Sequence, residues 1–425
     1  MASSGFQIQR FAESLNRILP YNFYTMTTDE LRATPLEYGV WGREHIDPQA
    51  LAQMDAAMRL PVSVAGALLP DAHVGYGLPI GGVLATDRAV IPYAVGVDIA
   101  CRMRLSVFNQ SPIVLGQKPG QFEKALLEQT RFGMGAKWEK NKRPEHPVLD
   151  EETWQALPLL RALQDKAAEQ LGTSGTGNHF VEWGVLRVTR DDEQFNVKPG
   201  DYLALLSHSG SRGVGFKIAD YYSKLAQSLH PDLDKSVRHL SWLELNTEAG
   251  QEYWLAMELA GRFASANHAI IHQRVAEAAG LKPIASVENH HNFAWKELLP
   301  DGVEVIVHRK GATPAGPNVL GLIPGSMGDA GYVVRGKGTV ASLHSASHGA
   351  GRALSRRGAL NSITKTMRDK YLREHNVTLL GGGLDEAPQA YKPIEAVMAA
   401  QNDLIETLAR FSPRIVRMAD EAGEY

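Results

Sequence analysis

PDAHVGYGLPIGGVLATDRAVIPYAVGVDIACRMRLSVF, residues 70–108, interleaves short apolar segments with glycine phrases. Segments 83–91 (VLATDRAVI) and 102–108 (RMRLSVF) have the β-branched content and partial alternation of strands. Glycine supplies positive φ and close backbone approach, so the phrases beside these segments predict functional loops at strand ends. GVDIAC, which closes the apolar run, places Asp98 three residues before Cys101, the only cysteine of the chain. At a strand end or turn both side chains reach one cation, the thiolate as a soft, potentially bridging ligand and the carboxylate as a hard one. A lone cysteine is more often a small buried hydrophobe, so the pair gains meaning only from what lies elsewhere.

The same texture continues outward. GTSGTGNH (172–179), SHSGSRGVG (207–215), IPGSMGDAGY (323–332), SHGAGR (347–352) and LLGGGLD (379–385) recur without a fixed period among the 40 glycines. Segments 202–206, 303–308 and 331–335 read as further strands. Apolar residues at spacings of three and four predict helices over 155–171, 216–229, 252–279 and 391–411. The mix is α+β, a mixed β-sheet core with surrounding helices. Segments 137–147 and 191–200 combine turn formers and charge without a period and predict surface loops. Chemical phrases lie on both sides of these loops, so residues 1–425 read as a single catalytic domain with surface insertions.

Composition narrows the classes. Apolar residues make up 44% and charged residues 21% of 425, which excludes disordered, collagenous and coiled-coil chains. Forty-four Lys and Arg against 47 Asp and Glu give a net charge of −3, so a polyanionic partner must meet a local patch. One cysteine cannot form an internal disulfide, which points to the cytoplasm. The first 20 residues lack a signal-peptide run, and no window has the roughly 18 apolar residues of a membrane helix.

Of 15 histidines, His45, His146, His230, His239 and His375 lie in polar or loop contexts and read as solvated. His179, His208, His291 and His348 each stand beside Gly, Ser or Asn. With Asp98 and Cys101 they match the ligand count of a dinuclear divalent site, leaving one imidazole free as a nucleophile toward phosphorus. Ser326 with the amides around Gly325 and Gly328, and Arg309 with Lys310, suit an anion. His73 reads as a hydrogen-bonding partner or an RNA contact. Neither GxxxxGK[ST] nor GxGxxG is present in a strand-to-helix setting, which disfavours the ordinary nucleotide folds. Between Gly351 and His375 seven basic residues (Arg352, Arg356, Arg357, Lys365, Arg368, Lys370, Arg373) face two acidic ones, a candidate track for a nucleic-acid backbone. Trp138, in the loop Lys137–Arg143, reads as a stacking contact for a single-stranded end.

In order, PDAHVGYGLPIGGV, VGVDIAC, GTGNHFVEWG, SHSGSRG, HHN, RKGAT, IPGSMG, SHGAGR and AYK with VMAAQNDLIE resemble the RtcB family of RNA-splicing ligases, from about Leu69 to about Leu408. The resemblance implies an RtcB-type fold and a GTP-dependent ligase using two Mn²⁺ per site. Such an enzyme joins an RNA 3′-phosphate or 2′,3′-cyclic phosphate to a 5′-hydroxyl in RNA repair or tRNA splicing. By the same resemblance His348 matches the histidine that takes GMP from GTP, and Asp98, Cys101, His179, His208 and His291 match the metal ligands. Asn178, Phe180, Glu182, Asn292, Ser326, Gly349, Ala350, Gly351 and Tyr391 match guanylate-contacting positions. The chain departs from the family's pattern at Gly331, where serine is common, and at its end, where Arg417 and Met418 lie near the place of a terminal Lys-Gly. It also has Ala100 and Arg102 where glycines are frequent. The first two departures bear on guanine selectivity, the third on the shape of the pocket mouth. Two other classes use the same residues: a dinuclear metal-dependent RNA phosphoesterase or nuclease that needs no nucleotide, and a non-catalytic RNA-binding paralogue.

Overall fold

The computed structural model describes residues 29–420 and is built on a five-stranded and an eight-stranded β-sheet with two short strand pairs between them. The reading of residues 1–20 lies outside the described residues. The smaller sheet runs in the order β1 (Gly39–Val40), β2 (Ser63–His73), β3 (Ile80–Thr86), β11 (Glu304–Lys310), β10 (Asn292–Leu298). The larger runs β13 (Leu320–Ile323), β14 (Gly331–Gly336), β17 (Ile405–Met418), β6 (Phe180–Val188), β7 (Gly200–Ser209), β5 (Arg102–Phe108), β9 (Pro283–His290), with β16 (Thr378–Leu380) alongside β17. The short pairs are β4 (Ala89–Val90) with β8 (Leu243–Glu244), and β12 (Ala312–Pro314) with β15 (Ser345–Ser347). β1 pairs with β2, and β16 with β17, in parallel; their neighbours pair antiparallel, so both sheets are mixed.

The larger sheet is apolar on both faces because both are covered. Val181, Trp183, Leu203 and Leu205 face Ile271 and Val275 of the helix Glu248–Ala278. That helix begins where the Thr247 side chain accepts from Gly250 N, with Glu248 in its first turn. Phe180, Leu186, Ala204 and Leu206 point the other way, into a cluster with Met103, Leu322 and Val333. Ala67, Val83 and Val307 pack on Ile323, Val334 and Ile405, which fixes the smaller sheet against the β13–β14–β17 end of the larger. No helix among the described residues is long and apolar enough to cross a membrane.

The α+β reading holds, with local corrections. Segment 391–411 is not one helix: a short helix, Ile394–Ala399, is followed by the 14-residue strand β17. The spacing of Ile405, Leu408 and Phe411 mimics a helix, but pairing with β14 on one side and β6 on the other decides the conformation. The strand read over 83–91 breaks between β3 and β4, where Arg88 has φ 48°. The helix read over 155–171 runs Pro158–Gln170 after a break at Leu157 in extended conformation, as the residue before a proline favours. Segment 191–200 is not a simple surface loop, since Phe195 and Val197 are buried in the core.

Candidate active site

Antiparallel order sends alternate strand ends to one edge of a sheet, and four of them meet here. β6 begins where β7 ends, Phe180 pairing with His208; β5 begins where β7 and β9 end, Arg102 pairing with Ser209 and His290. His179, His208, Cys101 and His291 therefore converge at these ends from distant parts of the sequence. Cys101 Sγ lies 3.1 Å from His208 Nε2 and 3.5 Å from His179 Nε2. His208 Nε2 lies 3.2 Å from His291 Nε2, and His179 Nε2 lies 3.1 Å from Asp98 Oδ2. Asp98 is oriented by Ser211, whose backbone N–H donates to Oδ1 at 3.2 Å.

Electrostatics make this a set of lone pairs. Burial, reinforced by neighbouring His179, pushes His208 down to about 3, so its ring is neutral at ordinary pH. With Nδ1–H donating to Asn178 O at 3.0 Å, Nε2 is left as an acceptor. Burial also holds His291 well below the usual histidine range. Two sets follow, Cys101 with His208 and His291, and Asp98 with Cys101 and His179, the ligand atoms of each within 4.8 Å of one another. Facing acceptors without a proton between them repel; a cation between them removes that conflict. This buried His/Cys/Asp cluster can hold metal, and the donor chemistry fits two divalent cations sharing the thiolate. Burial and Asp98 push the Cys101 thiol well above its usual value, a bias that a bound cation reverses by taking the proton's place.

His348 approaches from the other sheet. It follows β15, whose Ser347 pairs with Ala312, and its ring centroid lies 5.0 Å from that of His291. The buried carboxylate of Asp71, on β2, accepts from His348 Nδ1 at 2.6 Å and from its backbone N–H at 3.1 Å. Burial by itself would raise Asp71, but the His348 hydrogen bond and the charges of His348 and Lys392 outweigh it and hold the carboxyl below its usual range. Lys392 Nζ donates to Pro70 O at 3.0 Å and Ala72 O at 2.7 Å, bracketing Asp71. Gly351 has φ 72°, and an added Cβ would lie 2.1 Å from Asp71 O, so the SHGAGR turn closes this tightly only with glycine there.

The cluster and His348 line one cleft of about 1250 Å³, shared by Asn178, Phe180, Asn292, Ser326, Gly349, Ala350, Gly351 and Tyr391. Glu182 is the exception among the nine residues matched to guanylate. It is buried on β6 behind Phe180, one carboxylate oxygen has no partner among the described residues, and burial raises it well above its usual value. Asn292 also braces the site, accepting from Gly311 N at 2.8 Å through its side chain and from Ala100 N at 2.7 Å through its carbonyl. Of the departures, Met418 lines the cleft, whereas Arg417 pairs with Asp420. At Gly331 an added Cβ would meet Pro324 and Leu206 only at ordinary contact distances, so room for a small side chain remains.

Several expectations are corrected. Arg309 is no anion contact: it is buried against Glu297, Ser345 and the Trp295 ring. Trp138 is 3% exposed, between the guanidinium groups of Arg131 and Arg274, and offers no face to a nucleic-acid end. His230 is not solvated, being bonded to Asp29 and Trp242 O. The basic run is partly neutralised from beyond its end, Arg352 by Glu386 and Arg356 by both Asp385 and Glu386. His73 hydrogen-bonds Asp71 O at 3.0 Å and lines the cleft, and burial pushes it down to about 4. Asp71 itself escaped the sequence reading. So did His268 and His272, which stack behind His208 through Ser207 Oγ at 2.7 and 2.8 Å; their spacing of four on an apolar helix was the available signal.

A profile of the family described as tRNA-splicing ligase RtcB matches residues 53–419. The chain belongs to the RtcB family. RNA-splicing ligase RtcB1 of Escherichia coli is 34% identical over 373 residues, spanning 80% of this chain and 87% of its own. RNA-splicing ligase RtcB of Escherichia coli K12 is 33% identical over 375 residues, with the same coverage of 80% and 87%. tRNA-splicing ligase RtcB of Nanoarchaeum equitans is 31% identical over 417 residues, spanning 81% and 86%. The RtcB match runs past both ends of the stretch that carries the resemblance in sequence and contains every site residue from Asp71 to Met418. As an RtcB-family enzyme the chain is an RNA-splicing ligase, with RNA as its substrate.

Proposed function

We propose that this chain joins an RNA 3′-phosphate or 2′,3′-cyclic phosphate end to a 5′-hydroxyl end through a histidine–GMP intermediate on His348, with GTP and two Mn²⁺. The observation that carries the reading is the His348–Asp71 pair at 2.6 Å beside the metal-binding cluster. With Nδ1–H donated to Asp71, the ring turns Nε2 to the cleft, the atom that acts as the phosphorus nucleophile when it carries no proton. Nε2 attacks the α-phosphorus of GTP, the bond to pyrophosphate breaks, and the Nε2–P bond forms. A 2′,3′-cyclic end is first opened by water, which breaks the P–O2′ bond; GMP then passes to the RNA 3′-phosphate, freeing His348, and the RNA 5′-hydroxyl loses its proton to solvent and displaces GMP as the new phosphodiester forms.

In this reading Asp98, Cys101 and His179 hold one cation and Cys101, His208 and His291 the other. Bound cations supply neutralisation of the charge that builds on phosphate oxygens. Asn178, Phe180, Glu182, Asn292, Ser326, Gly349, Ala350, Gly351 and Tyr391 contact guanylate. Glu182, whose carboxyl burial raises well above its usual range, would do so through the oxygen that has no partner among the described residues. The described residues act as part of one catalytic unit, and the lone thiol suits a cytoplasmic setting.

The test is incubation with labelled GTP and Mn²⁺. An acid-labile phosphoramidate forms on the wild-type protein and is absent in His348→Ala. A blank with the metal-loaded wild type rejects the reading. Cyclic-phosphate hydrolysis that needs no GTP and survives in His348→Ala favours the phosphoesterase instead.

A further inference from the structure

Where β2 turns into β3, the loop carrying VGYG holds an aromatic ring out into the cleft on a backbone fixed from three sides. Gly75 N–H donates to Gln53 Oε1 at 3.0 Å, and Gln53 Nε2 donates back to Gly75 O at 2.5 Å. The buried ammonium of Lys310 donates to Tyr76 O. Gly77 has φ 72°, a conformation strained for other residues, and an added Cβ would press on His239 Cβ at 3.2 Å and Leu240 at 3.1 Å. Yet the Tyr76 side chain, so tightly mounted, is left 69% exposed.

The ring does not stand alone. His239 meets Tyr76 edge-on at 6.1 Å and meets Tyr93 edge-on at 4.9 Å, both at 72°. Tyr76 and Tyr93 line the cleft that contains Cys101 and His348. Both are also close in sequence to reacting groups: Tyr76 is five residues beyond Asp71, which holds His348, and Tyr93 five residues before Asp98. A large exposed ring is ordinarily mobile or covered. One mounted on a fixed backbone, with an aromatic neighbour at its edge, and bare at the rim of the cleft presents a flat π-face at reduced ordering cost, a condition that favours stacking.

We infer that Tyr76, backed by His239 and Tyr93, is a stacking platform for one base of the single-stranded RNA end that enters the cleft. The inference rests on RNA being the substrate, and it names where a base rests. Stacking reads the π-face that every base has, so the platform tolerates any base identity. It takes over the role that buried Trp138 does not fill.

The experiment uses RNAs carrying 2-aminopurine as the terminal base, one at the 3′-phosphate end and one at the 5′-hydroxyl end, bound to the metal-loaded protein. At least one is quenched by wild type and by Tyr76→Phe, while Tyr76→Ala loses the quenching and raises the KM for RNA about tenfold or more. His348 labelling by GTP in Tyr76→Ala shows that the cleft is intact. With the terminal base removed, wild type and Tyr76→Ala become equal. Quenching or KM unchanged in Tyr76→Ala overturns the platform, as it would if the ring served a protein partner. Quenching without any labelling of His348 in wild type leaves the platform standing and rejects the ligation chemistry instead.

Discussion

At Gly210 the space for a side chain is already taken: an added Cβ would lie 2.3 Å from both carboxylate oxygens of Asp98. Gly210→Ala therefore has to displace Asp98, and titration calorimetry with Mn²⁺ is expected to show affinity lower by about 10- to 100-fold, the range for disturbing a ligand's supports. Lys310 supplies a pH signature. Burial pushes it down to about 7, whereas in the unfolded chain it titrates near 10.5. The unfolded state binds more protons between these values, so stability rises as pH climbs from 7 toward 10.5. Melting curves of the metal-free protein should show this increment, and Lys310→Met should lack it. Cys101 and the four site histidines were legible in sequence because their neighbours are so permissive. Asp71 was not. It lies 277 residues from His348 and is embedded in an apolar strand, and only the docking of β2 beside β15 gives its carboxylate a purpose.

β6 shows how an element positions chemistry it does not perform. Trp183 is fully buried, with ring centroids 5.5 Å from Phe108 and 5.3 Å from Phe122. Trp183→Ala leaves a large cavity under the strand whose first turn outward carries His179, and urea unfolding is expected to register a loss of about 3–5 kcal/mol. Most strands and the long helix could be read from period and composition. β17 could not, because IETLARF carries its apolar residues at helical spacing and Pro413 looks like a terminator. In the sheet that proline is tolerated where the register with β6 shifts, between Pro413 and Ile415.

For the whole molecule, the proposed reading links metal binding to folding. The facing acceptors gathered at the ends of β5, β6, β7 and β9 repel until a cation joins them, and the unfolded chain scatters them. Mn²⁺ at about 100 times its dissociation constant is expected to add about 2.7 kcal/mol, visible as a higher melting temperature that a chelator reverses. Cys101→Ser, which weakens the donor common to both sets, should shrink that gain. The order of the chain adds a temporal aspect to this layout. The last candidate metal donor in the chain is His291, and the proposed nucleophile His348 with the β15 segment that delivers it is synthesised later. Yet β17, synthesised last, pairs with β6 beside these donors, and a domain folds as a unit, so the sheet that gathers them is complete only once His348 has been made.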